Sequence, residues 1–146
     1  MKIRRRARIL ALQALFEIDS TSHPPEVVLQ QRLEDTPLPD EGVEFARALV
    51  FGVLRHRASL DAIIRANATE WPLDQMATID RNVLRIALLE MGLLCSTPVK
   101  VAINEAVELA KRFGSDSAPR FVNGVLGTLA QREDEIRREF QLVRHS

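Results

Sequence analysis

The stretch from Pro98 to Leu129, PVKVAINEAVELAKRFGSDSAPRFVNGVLGTL, constrains the fold more than any other part of the chain. At about 100° per residue, Val99, Ile103, Ala106, Ala110 and Phe113 fall on one stripe, which Ala102 and Val107 widen. Gly114 interrupts the period as a glycine following a helix does. Ser115, Asp116 and Ser117 carry oxygens able to cap a second helix, and Pro119 suits its first turn. Phe121, Val122, Val125, Leu126 and Leu129 make the second stripe. Two helices that each carry an apolar face must bury it against other helices. The spacing therefore predicts an all-α fold.

Length and charge narrow the function. At 146 residues and 46% apolar content the chain can build one domain with a sizeable core. The 20 Lys and Arg balance the 20 Asp and Glu. Any pull on a polyanion must then come from a local cluster. The one cysteine, Cys95, cannot form an internal disulfide. Its apolar surroundings predict a small buried thiol in a reducing compartment. No apolar run is long enough to span a bilayer. The basic start leads into a segment too amphipathic for a signal sequence, so the expected location is cytoplasmic.

That basic start is the local cluster. Lys2, Arg4, Arg5, Arg6 and Arg8 precede any acid, the first being Glu17. A helix follows at once, with Ile9, Leu12 and Phe16 on one face and Leu15 beside them. The cations thus crowd the N-terminal end of an amphipathic helix, which is already positive. Each is unfavourable there by roughly 0.3–1 kcal/mol. The misfit points to an anionic partner. A membrane surface is one such anion, but the short apolar face without Trp suits it less well than a nucleic acid.

Farther on, STSHPP (20–25) is a turn, Glu26–Leu33 a short helix, and EDTPLPD (34–40) a break with two prolines. From Asp40 a long helix keeps its period through Phe45, Leu49, Gly52, Val53, His56, Leu60, Ile63 and Ile64. His56 reads as a core or rim residue, since no second His or Cys stands at metal-ligand spacing. Trp71-Pro72 ends this half, and Trp71 is expected to fill the junction between helical subdomains 1–70 and 71–146. Ile79–Leu94 reads as one helix, with Ile79, Val83, Ile86, Ala87 and Leu94 on a face and Glu90 in its middle. A carboxylate there needs a partner: Arg85, a cation from another helix, or backbone N–H groups at a helix start. It reads as an internal anchor; a catalytic acid would want a second acid, a His or a metal nearby. Asp80, Arg81, Leu84, Arg85 and Leu88 lie on the other side. Leu84 and Leu88 either complete a broad core stripe or form an exposed patch for a partner protein.

Within the opening stretch, Glu108 and Arg112 stand at i,i+4 spacing for an ion pair. Gly124 continues a helical period at about 1 kcal/mol disadvantage to Ala. Either two helices cross tightly there, or a ligand backbone comes close while Asn123 presents donors and acceptors. The tail 131–146 is a charged helix that Phe140 and Leu142 can dock. No phosphate loop, metal motif or nucleophile elbow is present, and no cofactor is implied. Lys111, Arg120 and Phe121 gather near the hairpin tip. With the arginine cluster they combine phosphate-binding forks and an aromatic for stacking, which fits single-stranded RNA better than duplex DNA. The rival from the residues alone is a helical protein-interaction scaffold whose arginines meet an acidic protein.

RRRARILALQALF, LDAIIRANATEWPLDQMATIDRNVLRIALLEM, PVKVAINEAVELAKRFG and RFVNGVL, in this order, resemble the NusB family over nearly the whole chain. The resemblance implies about seven helices in two subdomains and a non-enzymatic bacterial transcription antitermination factor. It implies pairing with NusE, a small-subunit ribosomal protein. The pair would bind boxA RNA in nascent transcripts, notably of ribosomal RNA operons, within an RNA polymerase complex holding other Nus factors. By position, Arg4, Arg5, Arg6 and Arg8 match the family's RNA-binding motif, and Gln13 and Phe16 continue that helix. Phe121 and Asn123 match the block near the RNA path, and Asp80, Arg81 and Leu84 fall where the family meets NusE. Gly127 stands where the family has an acid after GVL. Some relatives form a homodimer through the RNA face, and the resemblance leaves that open here.

Overall fold

The structure, a computed structural model, describes residues 2–68 and 73–145. Among these it shows seven α-helices and no strand: α1 (Ile3–Ser20), α2 (Pro25–Asp35), α3 (Asp40–Asn67), α4 (Thr78–Leu88), α5 (Val99–Phe113), α6 (Ala118–Gln131) and α7 (Glu133–His145). A 3₁₀ turn, Leu73–Gln75, precedes α4, and a π-helical turn, Leu89–Leu94, follows it. The expected junction residue Trp71 lies outside the described residues. No described helix is long and apolar enough to cross a membrane. The chain packs as two units that divide between Arg55 and His56, upstream of the Trp71-Pro72 break. The division falls inside α3, where His56 leaves helical geometry (φ −108°, ψ 16°).

In the first unit the buried residues come from α1 (Ala7, Leu10, Ala11, Leu12, Ala14, Leu15), α2 (Val28, Leu29) and the start of α3 (Phe45, Ala46, Leu49, Val50, Val53). Three alanines thus carry much of the inward face of α1. Phe16, read from sequence as part of that face, is instead 42% exposed. Alanines let helix axes approach and so set which way the helix turns, although large apolar residues dominate the sequence pattern. At the far end of α1, Glu17 accepts from Arg32 Nη2 at 3.0 Å and lies 2.9 Å from His23 Nδ1. These bonds, His23's first, hold the Glu17 carboxyl below the usual carboxylate range.

The second unit is ordered around buried polar groups. Arg85 on α4 donates Nε and Nη2 to Asp61 on α3 at 2.7 and 2.9 Å, and Nη1 to Asn82 Oδ1 at 3.3 Å. Asn82 in turn donates to the Thr78 carbonyl. Leu84 and Leu88 are fully buried, so they complete the core stripe, and the exposed-patch reading is withdrawn. The expected single helix Ile79–Leu94 becomes α4 plus the π turn. The wider turn sets Glu90, 1% exposed, where the Thr97 hydroxyl donates to its Oε1 at 2.6 Å. Leu94 turns outward.

The π turn also seats α7. A Cβ on Gly92 would lie 2.7 Å from the Phe140 ring and 3.1 Å from Ile136 Cγ2, so only glycine permits this approach. Arg137 Nε donates to the Met91 carbonyl. Phe140 docks the tail as expected, whereas Leu142 is 74% exposed. Cys95 follows the π turn in left-handed geometry (φ 50°) and is exposed, which corrects the buried-thiol expectation. Gly114 has extended backbone rather than positive φ. Its use is room: a Cβ there would lie 2.8 Å from the Ala110 oxygen and from Ala118 Cβ.

Two outcomes test these packing roles. Asp61→Ala strands a buried guanidinium and should lose about 3–5 kcal/mol in denaturant unfolding, whereas Asp61→Leu with Arg85→Met should recover most of it. The Glu17 carboxyl is depressed in the folded state. Its contribution is therefore present above the unfolded value of 4.5 and lost as pH falls through the lower folded one. Glu17→Gln should flatten the acid limb of the stability–pH curve in that window.

Candidate nucleic-acid interface

The first turn of α1 contains no acid, and Lys2 at its N-cap makes no side-chain capping bond. Helix polarity and side-chain charge therefore have the same sign at this end. Lys2, Arg4 and Arg5 are exposed. Arg6 is half-buried and donates Nη2 to the Pro37 carbonyl at 3.0 Å. Arg8 is only 4% exposed, a placement that suits it to support the cluster from inside. The guanidinium carbons of Arg4 and Arg8 lie 4.5 and 5.2 Å from the Phe45 ring centroid. At about 100° per residue, Lys2, Arg5, Gln13 and Phe16 share another face of α1. Gln13 is half-buried, and Phe16 offers an apolar surface large enough to stack on a base.

In the second unit the hairpin-tip residues gather on the end of α5 and the outer side of α6. Lys111, Arg120 and Asn123 are exposed and Phe121 is half-buried. Glu108 pairs with Lys111, 3.3 Å away, not with Arg112 as its spacing suggests; Arg112 lies over the Phe113 ring instead. Nothing lies within 4 Å of where a Cβ on Gly124 would stand, and the same holds for Gly127. The tight-crossing explanation of Gly124 is thereby excluded among the described residues. Val122, Val125, Leu126 and Leu129 bury the opposite side of α6.

The residues matched to a protein partner fare unevenly. Leu84, Leu88 and Arg85 belong to the core and cannot meet a partner while α4 stays packed. Arg81 is half-buried, donating Nη2 to the Thr78 hydroxyl at 3.0 Å. Asp80 is mostly buried at the start of α4, and burial pushes its carboxyl upward. Its Oδ1 has no hydrogen-bond partner among the described residues. Glu90 is sealed against Thr97 and serves as an anchor. Among the described residues no group of three His, Cys, Asp or Glu could hold a metal ion.

Sequence reasoning missed Phe45 and the Pro37 carbonyl as parts of this arrangement. From its helical period alone, Phe45 reads only as core. The available signal was the one-turn spacing of Arg4 and Arg8, which places both on one stripe of α1.

The NusB family model matches residues 5–131. The transcription antitermination protein NusB of Roseiflexus castenholzii (strain DSM 13941 / HLO8) is 53% identical over 135 residues, covering 91% of this chain and 95% of that protein. The solved structure of T. maritima NusB superposes with a TM-score of 0.78 at 33% identity, covering 93% of this chain and 91% of that one. A NusB chain crystallised with NusE and double-stranded RNA superposes with a TM-score of 0.78 at 26% identity, covering 95% and 98%. With the match running from the basic tract to the end of α6, the chain belongs to the NusB family, whose members are transcription antitermination factors rather than enzymes.

Proposed function

We propose that this chain binds the boxA element of nascent RNA together with NusE, the small-subunit ribosomal protein, and so supports transcription of ribosomal RNA operons. The observation that carries the reading is the exposed Lys2, Arg4 and Arg5 at the positive end of α1, with no acid in that turn. A helix that places cations there gains when phosphates become their neighbours. A similar NusB chain crystallised with NusE and RNA supports the choice of partners. In this reading Lys2, Arg4, Arg5 and Arg6 meet phosphates, Gln13 and Phe16 extend the contact to bases, and Arg8 holds the tract from within. On the second unit, Lys111, Arg120, Phe121 and Asn123 are the residues that would meet RNA. NusE meets the second unit near the start of α4, where Arg81 and the Asp80 carboxyl lie. The factor works in the cytoplasm within an RNA polymerase complex that includes other Nus factors.

Two measurements test it. In titrations with single-stranded boxA-like RNA, with and without NusE, Arg4→Ala combined with Arg5→Ala should weaken binding. The slope of log affinity against log salt should flatten by about 0.7 for each phosphate no longer neutralised. Binding indifferent to that double change would favour a protein scaffold instead, and a preference for duplex over single-stranded RNA would overturn the boxA assignment. Gly124→Ala should stabilise the fold by about 1 kcal/mol in denaturant unfolding, because the position is helical and open. The same variant should bind RNA more weakly, because the added methyl occupies clearance needed by the RNA backbone. A variant more stable and equally tight would remove Gly124 from the interface.

A further inference from the structure

We propose that Phe45 is a positioning residue for RNA binding: its ring holds Arg4 and Arg8 of the basic tract in place without adding a charge that opposes theirs. The inference rests on the RNA reading of that tract.

The geometry is specific. Arg4 and Arg8 stand one turn apart on α1, and both guanidinium carbons lie within 5.2 Å of one ring centroid on α3. Phe45 is 8% exposed, so the ring is fixed by the packing around it. Neighbouring contacts set the rotation of α1 over this ring. Ile3 packs on Gly42, where a Cβ would stand 2.9 Å from Ile3 Cγ2, and Arg6 donates to the Pro37 carbonyl. The 4/8 stripe of α1 is thereby aimed at the start of α3.

The chemistry explains why a ring suits the task. Like charges at i,i+4 spacing repel, and the helix N-terminus adds to the repulsion. A carboxylate in the ring's place would relieve the repulsion and also weaken the field that attracts phosphate. The face of an aromatic ring attracts cations through its quadrupole and carries no net charge. The ring contact therefore steadies the tract and subtracts nothing from its positive potential. Arg4 is exposed on this support, so less side-chain freedom is given up when a phosphate arrives.

The experiment replaces Phe45 in the 146-residue chain with mono-, di- and trifluorinated phenylalanine, which keep the ring's shape and progressively weaken its quadrupole. Single-stranded boxA-like RNA is the probe, and denaturant unfolding is followed on the same proteins. Affinity should fall stepwise with fluorination, by about two- to fivefold overall, with the salt slope retained because the phosphate contacts remain. In an Arg4→Ala background the same series should lower affinity by a smaller factor, since Arg8 alone then faces the ring, a dependence that simple core filling would not produce. Level affinity across the series in the parent chain, while Arg4→Ala with Arg5→Ala weakens RNA binding, would overturn the inference and leave the RNA reading standing. RNA binding untouched by those two arginine changes would sink both.

Discussion

The bidentate pair between Arg85 and Asp61 is the interaction on which the second unit depends. Two desolvated charges are tolerable only when their geometry is good and their remaining donors are used, and Asn82 takes up the third guanidinium bond. The pair pins α4 to the second half of α3 in one register. From that register follow the burial of Leu84 and Leu88 and the direction in which the π turn leaves α4. The π turn then sets two further contacts, Glu90 with Thr97 and Gly92 against Phe140. One links it to the approach to α5, and the other seats α7.

The first unit solves a different electrostatic problem. Its leading helix begins with cations where a helix favours acids. Part of the difficulty is met inside the unit, by the Phe45 ring and the Pro37 carbonyl. Lys2, Arg4 and Arg5 are exposed at this end of the helix. On α6, Gly124 and Gly127 show a related economy of side chains: among the described residues nothing packs against the space beside them. Both features are locally unfavourable in isolation.

Much of the fold was legible in the residue pattern. The stripes of α5 and α6, the break at Gly114 and the start of α3 at Asp40 all follow from period and punctuation. The candidate RNA residues of α1 and α6 were also visible, because charge at a helix start and glycine within a helix are local anomalies. What escaped depended on partners distant in sequence. The inward face of α1 is hard to place because alanines, weak in any hydrophobic pattern, do the close packing. Leu84 and Leu88 had two possible neighbours, protein core or partner, and periodicity cannot tell them apart. The apolarity of its segment puts Cys95 inside, yet it follows the π turn in left-handed geometry and is exposed.

The sequence by itself determined the class of the fold, the order of its helices and where positive charge would gather, because these are short-range properties of period, capping and charge. Tertiary structure decided which of those charges face solvent, which carboxylate Arg85 would take, and that the Ile79–Leu94 helix would widen into a π turn. Those outcomes depend on which surfaces meet across the chain, and desolvation and close packing are settled only when they do.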